Sequence, residues 1–123
     1  MIPDGGADMD SDDPVVCNPT HYRTVFENDR VRVLEYRDGP GDISVEHHHP
    51  DSVMITLSSF DRRISVVDRS VDVTLGAGEV RWLDEQRHWG ENTGDTDTHT
   101  IFVELKEAAP QAAQETRLGP SVT

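Results

Sequence analysis

Short β-type runs separated by explicit turn residues constrain the fold of this chain most strongly. The runs are rich in Val, Ile, Thr and aromatic residues and cover residues 23–27, 30–37, 43–47, 52–57, 62–68, 71–75, 79–83, 86–90 and 98–106. Turn sequences such as Asp-Gly-Pro-Gly at 38–41 and Gly-Ala-Gly at 76–78 separate them. No segment between 19 and 107 keeps an apolar period of 3.6 residues over three turns. The pattern predicts an all-β sandwich or barrel.

The two ends of the chain differ from this central part. Residues 1–18 contain five Asp and no Lys or Arg, and residues 108–123 are rich in Ala, Gln, Pro and Thr. Such stretches bury too little apolar area to offset their ordering entropy. The 123 residues suffice for one domain with one core. We therefore predict a disordered acidic tail over 1–18, one domain over 19–107 and a C-terminal tail over 108–123.

Charge narrows the classes of partner. The chain carries 24 acidic and 11 basic residues, a formal net charge of −13 at pH 7. Such a surface repels phosphate backbones and anionic lipid, so we expect neither a nucleic acid nor a membrane partner. The single cysteine, Cys17, excludes an intrachain disulfide. No apolar run approaches the roughly 20 residues of a membrane span, and we expect a cytoplasmic protein.

Six histidines stand out in a chain of this length, and three of them are consecutive at 47–49. Because side chains alternate along a strand, His47 and His49 share one face and His48 lies on the other. His88 is distant in sequence, but a closed barrel can return it to the same interior. Imidazole suits Fe, Ni, Cu and Zn, and three imidazoles leave coordination positions open. Exposed loop histidines are the alternative; the combined pattern favours a metal site.

The same residues resemble the two short motifs of the cupin superfamily. Gly41, His47 and His49 match the first motif, and the second motif is matched at Gly78, His88 and Asn92. The resemblance spans about residues 21–106. It implies a small single-domain cupin, a double-stranded β-helix or jelly-roll barrel that often forms a homodimer.

Two departures from the motifs bear on the chemistry. The glutamate of the first motif falls on Val53 or Met54, and Asp84 and Gln86 replace the proline and glycine of the second. The set His47, His49 and His88 therefore resembles that of the three-histidine iron dioxygenases of the superfamily. This resemblance implies one divalent transition metal, with Fe(II) favoured and Zn, Ni or Mn as alternatives.

Other residues are candidates for supporting roles. A metal-bound histidine normally donates its second ring N–H to an acceptor, and Asn92, Glu46, Glu91 and backbone carbonyls are candidates. Met54 and Thr56 should face the interior if Met54 occupies the missing ligand position. Core packing is the simpler role for Met54. Trp82 and Phe102 are candidates for the wall of a substrate pocket, with a barrel mouth or dimer interface as the alternative for Trp82.

The last strand offers two alternating faces. His99, Ile101, Val103 and Leu105 share one face, and Thr100, Phe102 and Glu104 share the other. If the second set faces inward, Glu104 becomes a buried carboxylate with a raised pKa and a candidate general base. The apolar first set is more typical of core, which would place His99 near the rim as an acid–base candidate. Tyr36 is a further candidate donor to a bound substrate.

Two functions follow from these features. The first is a metal-dependent enzyme acting on a small, partly apolar organic molecule by oxygenase-like or isomerase- or cyclase-like chemistry. The second is a non-catalytic sensor or storage cupin that binds a metal or ligand, because a fold does not fix a function. The absent glutamate ligand lends weight to the second.

Overall fold

A computed structural model describes residues 12–107 of the chain. This part contains one short helix, α1 (Pro14–Cys17), and nine strands: β1 (Tyr22–Glu27), β2 (Val31–Asp38), β3 (His47–His49), β4 (Ser52–Thr56), β5 (Phe60–Val66), β6 (Arg69–Leu75), β7 (Val80–Leu83), β8 (Gln86–Asn92) and β9 (Thr98–Leu105). The predicted all-β class is confirmed. No helix within residues 12–107 has the length and apolarity needed to cross a bilayer.

The strands form two antiparallel sheets. The larger sheet has the order β1-β2-β9-β4-β7, and the smaller one has the order β3-β8-β5-β6. Because consecutive strands often lie in different sheets, residues distant in sequence meet inside. The clearest case for the site is the pairing of β3 with β8, which sets His47 opposite His88.

Two glycines of the predicted motifs lie in turns. Gly41 has φ of +84° and Gly78 has φ of +85°, a backbone conformation that L side chains rarely adopt. The strand predicted at 43–47 differs from the structure, where β3 begins only at His47. Upstream of it, Ile43 makes an isolated bridge to Glu91 and the Val45 N–H donates to the side chain of Asn18. Local contacts of this kind replace a regular ladder there.

Strand β9 shows which face lies inside. Thr98, Thr100, Phe102 and Glu104 are buried, whereas His99, Ile101 and Val103 are only partly so. The preference for the apolar set as core was therefore wrong. The buried apolar cluster consists of Tyr22, Leu34, Tyr36 and Phe102, and the remaining interior holds many polar side chains.

The N-terminal part of the described chain also differs from the prediction. Asp13 caps α1 by accepting a hydrogen bond from the Val15 N–H at 2.9 Å, and Pro14 occupies the first helical turn. Asn18 is buried, and its side chain bonds both the N–H and the carbonyl of Val45. Residues 12–18 therefore belong to the folded unit. The rest of the predicted tails, 1–11 and 108–123, lies outside the described residues.

Candidate metal centre

His47, His49 and His88 meet inside the barrel. All three are buried, and one potential ligand atom from each lies within 4.8 Å of the others. The ring centroids are 4.9 Å apart for His47 and His49, 5.0 Å for His47 and His88, and 5.3 Å for His49 and His88. Alternation on β3 supplies the first two rings and the β3–β8 pairing supplies the third.

Hydrogen bonds fix which ring nitrogen of each histidine points to the centre. In all three rings Nδ1 contacts an oxygen acceptor, so Nδ1 carries the proton and Nε2 keeps its lone pair. The pairs are His47 with the Val45 carbonyl at 2.7 Å, His49 with the Glu104 carboxylate at 3.0 Å and His88 with the Gln86 side-chain oxygen at 2.7 Å. This is the tautomer that a histidine needs to bind a metal through Nε2.

The Tyr22 hydroxyl lies between two of these nitrogens. It is 3.3 Å from Nε2 of His47 and 3.2 Å from Nε2 of His49. A phenol has one proton, so it can donate to only one of the two at a time. Nε2 of His88 has no donor among residues 12–107. The centre therefore presents more acceptors than the described chain can satisfy.

Burial keeps two of the three histidines, His47 and His88, neutral near pH 7. It lowers the pKa of His47 to about 4 and the pKa of His88 to about 3, and the neighbouring His49 ring acts in the same direction. Burial also raises the pKa of Tyr22 well above its ordinary value. Near neutral pH His47 and His88 are thus neutral imidazoles and Tyr22 is a protonated phenol.

The donor set fits a divalent transition metal. Three imidazoles that offer Nε2 as a ligand atom suit borderline ions such as Fe, Ni, Cu and Zn. Three protein ligands leave positions open for water or substrate. Glu104 accepts from Nδ1 of His49 and from Arg32 at 2.8 Å. It therefore holds the ring of His49 in the orientation that metal binding requires.

A mostly apolar cavity of about 250 Å³ adjoins the centre. This is below the roughly 300–1,000 Å³ of pockets for drug-sized ligands. Both sheets contribute to its lining, which comprises Tyr22, Tyr36, Ser44, His47, Met54, Phe60, Arg62, Ile64, Val71, Val73, Leu75, Leu83, Gln86, His88, Gly90, Thr98, Thr100 and Phe102.

Solved structures resemble this chain. A cupin domain from Bordetella pertussis matches with a TM-score of 0.66 and 26% identity, over 70% of this chain and 92% of that one. An RmlC-like cupin from Methanocaldococcus jannaschii matches with a TM-score of 0.57 and 9% identity, over 69% and 78%. The chain has the cupin fold. A double-stranded β-helix protein from Klebsiella pneumoniae also matches this chain, with a TM-score of 0.54, 18% identity and coverage of 70% and 83%.

No protein-family model and no curated protein sequence matches this chain. The solved structures therefore establish its architecture, and the histidine geometry identifies its candidate metal site.

Three of the predicted pocket and catalytic residues line the cavity, namely Met54, Phe102 and Tyr36. Thr56 does not, although it is buried, because its hydroxyl donates to the Gly76 carbonyl at 2.6 Å and so braces a turn. Trp82 is 53% exposed and donates its indole N–H to Asp84. The structure thus places neither Thr56 nor Trp82 in the pocket wall.

The predicted supporting residues differ more. Asn92 is buried, but its amide donates to Asp38 and the Thr96 carbonyl and contacts none of the three histidines. His99 lies on the other face of β9, where it pairs with Glu35 at 2.6 Å. Glu104 does face inward, yet both its oxygens are engaged, by His49 and by Arg32.

Three residues of the site were missed by the sequence analysis. Tyr22 contacts two of the histidines, Gln86 holds His88, and Arg62 lines the cavity. A signal for Arg62 existed: it lies two residues from both Phe60 and Ile64, on the inward positions of an alternating strand. Tyr22 and Gln86 carried no such signal, because their roles depend on contacts between strands.

Proposed function

We propose that this cupin is a metal-dependent enzyme acting on a small organic molecule, with one divalent ion on His47, His49 and His88. Fe(II) is the ion we favour. The proposal is supported by three Nε2 lone pairs that converge beside a small apolar cavity. A divalent ion would supply Lewis-acid or redox chemistry at its open positions, which suits oxygenase-like as well as isomerase- or cyclase-like reactions.

The chain's own residues would prepare the substrate for this chemistry. The apolar lining limits water at the centre and strengthens the electrostatic interactions inside. The Tyr22 phenol, protonated because burial raises its pKa, can donate a hydrogen bond to a substrate oxygen beside the histidines. The acceptors behind His47, His49 and His88 hold the rings in place.

One observation favours a second function, a non-catalytic binding cupin. Two buried carboxylates lie near the interior, and each has several donors. Glu104 accepts from His49 and Arg32, and Asp38 accepts from Tyr36, Arg62 and Asn92. Neither carboxylate is free to act as a general base. A protein that only senses or stores a ligand needs no such base, so this observation favours the second function.

The test starts from protein purified without a tag, whose metal content is measured before and after reconstitution with Fe(II), Zn, Ni or Mn. We expect about one ion per chain, bound by wild type and by His48→Gln but not by His49→Gln. His48 is the matched control because it lies on the same strand, facing away and pairing with Glu85. Equal metal content in both variants would contradict the site.

Turnover separates the two functions. The loaded protein is incubated with a panel of small organic molecules, with and without oxygen, and products are analysed by mass spectrometry. Oxygen consumption coupled to product with iron supports the oxygenase, and an oxygen-independent isomer supports the isomerase or cyclase. Saturable ligand binding without any product across the panel would favour the binding cupin.

A further inference from the structure

The outer faces of the two sheets differ in chemistry. When one face of an antiparallel sheet packs on the core, the residues on the other face are normally polar. The smaller sheet follows this rule, since Arg63 of β5 lies opposite Glu91 of β8 and pairs with Asp72 of β6 at 2.8 Å. The larger sheet breaks the rule, because its outward positions carry mainly apolar side chains.

A row of apolar side chains crosses all five strands of the larger sheet. Phe26 lies opposite Val33, which lies opposite Val103. Val53 continues the row from Val103 to Trp82. Phe26 and Trp82 are 45% and 53% exposed, and the three valines between them are partly exposed. No second layer within residues 12–107 therefore covers the ends of this row.

Neighbouring outward positions extend the row into a surface. Ile55 lies opposite both Ile101 and Val80, and Val31 lies opposite Leu105. Val80 is 64% exposed and Leu105 is 40% exposed. Exposed apolar residues that stand alone are common, but a contiguous patch marks an interaction site. These five residues and the row from Phe26 to Trp82 form the outer apolar face.

The outer apolar face avoids the acidity of the rest of the chain. The chain has a net charge of −13, yet Glu35 is the one acidic residue at an outward position of these five strands. Glu35 pairs with Arg23 at 2.7 Å and with Arg37 at 3.3 Å. Nε2 of His99 lies 2.6 Å from the same carboxylate. Two copies of this acidic chain can therefore approach through this face without bringing unpaired carboxylates together.

The size of the surface suits a dimer. Five strands about 4.8 Å apart, with a rise of about 3.3 Å per residue from Val31 to Arg37, give roughly 20 Å by 20 Å. This is about 400 Å² in flat projection, and side chains standing out of the plane increase the accessible area. The largest apolar patch of a typical monomer is about 300–600 Å², and a standard interface takes about 800 Å² from each partner. The outer apolar face can thus form the apolar core of such an interface.

We propose that the outer apolar face is the interface of a homodimer, in which the same face of a second copy packs on it. Two sheets pack about 10 Å apart when both present apolar side chains. A second copy supplies such a sheet, whereas a strongly charged partner would find few unpaired charges here. Trp82, which lies outside the pocket wall, becomes an aromatic anchor of this interface.

Sedimentation equilibrium of the untagged full chain tests the dimer, at concentrations from about 0.1 µM to about 100 µM. We expect twice the mass of one chain at the upper end of this range. A monomer at every concentration would overturn the proposal. A trimer or larger assembly would overturn it as well, because an interface between identical faces closes after two chains.

Salt distinguishes an apolar interface from one held by charge. Raising the ionic strength from about 0.05 M to about 0.5 M screens the repulsion between two acidic chains. We therefore expect the dissociation constant of the dimer to fall as salt is added. A dimer that dissociates with added salt contradicts an interface centred on apolar side chains.

Charged substitutions locate the interface. Val103→Lys, on the central strand, should raise the dissociation constant at least about 100-fold, because an ammonium group would be buried without a partner. Val80→Lys, on the edge strand β7, should weaken the dimer too and is the safer variant for folding. Val67→Lys is the control, because Val67 is 91% exposed but lies in the turn between β5 and β6 of the smaller sheet. Wild-type dimerisation of both Val103→Lys and Val80→Lys overturns the proposal.

Trp82 reports on the interface without a charge being introduced. In Trp89→Phe it is the single tryptophan of the chain. We expect quenching of its fluorescence by acrylamide to decrease as the protein dimerises, because the 53% exposed indole becomes covered. Quenching that stays constant while the mass doubles would place the interface elsewhere and overturn the proposal.

Discussion

Two polar clusters lie inside the same barrel, and they are built on opposite principles. In the arginine cluster, Arg62, Tyr36 and Asn92 donate to the carboxylate of Asp38, so donors meet acceptors. In the histidine cluster, ligand atoms of His47, His49 and His88 meet, and within residues 12–107 the proton of Tyr22 is the one hydrogen-bond donor directed at them. The first cluster largely completes itself, and the second needs a further partner.

The difference separates fold from function. A satisfied buried network holds its strands together, and losing one member leaves a charge unpaired. The histidine cluster lacks this stabilisation, because the lone pairs of its ring nitrogens face one another when no ion is bound. Such an arrangement serves to bind an ion. Because the ion binds the folded state, its binding restores the stability that the empty cluster lacks.

The largest effect is expected from breaking the arginine cluster. Asp38→Ala leaves the guanidinium of Arg62 buried without its carboxylate, which should cost about 3–5 kcal/mol of unfolding free energy. Chemical denaturation of the metal-free protein measures it. The control is Asp72→Ala, which breaks the exposed ion pair with Arg63 at 2.8 Å and should cost far less, because solvent screens exposed ion pairs. Equal costs at the two sites would contradict the comparison.

A smaller effect is expected from acid acting on the histidine cluster. Burial lowers the pKa of His47 to about 4 and that of His88 to about 3, against about 6.5 in the unfolded chain. Between these values the unfolded chain binds protons that the folded chain does not, so stability falls as pH falls below 6.5. From pH 7.5 to 5.5 the metal-free protein should lose about 2–3 kcal/mol for the two histidines together.

Urea denaturation at several pH values measures this loss, and a His47→Gln, His88→Gln double variant serves as its control. The variant lacks both titrating rings, so its stability should change much less over the same interval. A wild-type and variant profile of equal slope would show that other groups govern acid sensitivity. Saturating zinc should oppose the wild-type loss, because the ion binds the neutral imidazoles of the folded state.

The sequence predicted the histidine cluster because its signal is local. The period-two alternation of a strand places His47 and His49 on one face, and the structure confirms that His88 joins them. Gly41 and Gly78 likewise marked turns that require positive φ. Such features depend on a few neighbouring residues, so they can be predicted without knowing the order of strands in the sheets.

The arginine cluster could not be predicted in the same way. Asp38, Arg62 and Asn92 come from three strands, and their contacts exist only once β2, β5 and β8 are in place. The inward face of β9 was predicted wrongly for a related reason. Its apolar residues looked like core, yet the barrel interior is a site lined with Thr98, Thr100 and Glu104 as well as Phe102.

The smallest effect is expected from weakening the hydrogen bond that holds one ring of the histidine cluster in place. Glu104→Gln keeps an oxygen that can accept from Nδ1 of His49 but removes the charge that makes this bond strong. Zinc affinity, measured by competition with a chelator, should fall about 10-fold, the lower end of the range for such outer partners. Glu79→Gln is the control, because Glu79 pairs with exposed Arg81 far from the histidines, and it should leave zinc affinity unchanged. Wild-type zinc affinity in both variants would contradict this role of the carboxylate. The ring of His49 would then be held by its packing on Phe102, with the two ring centroids 4.8 Å apart.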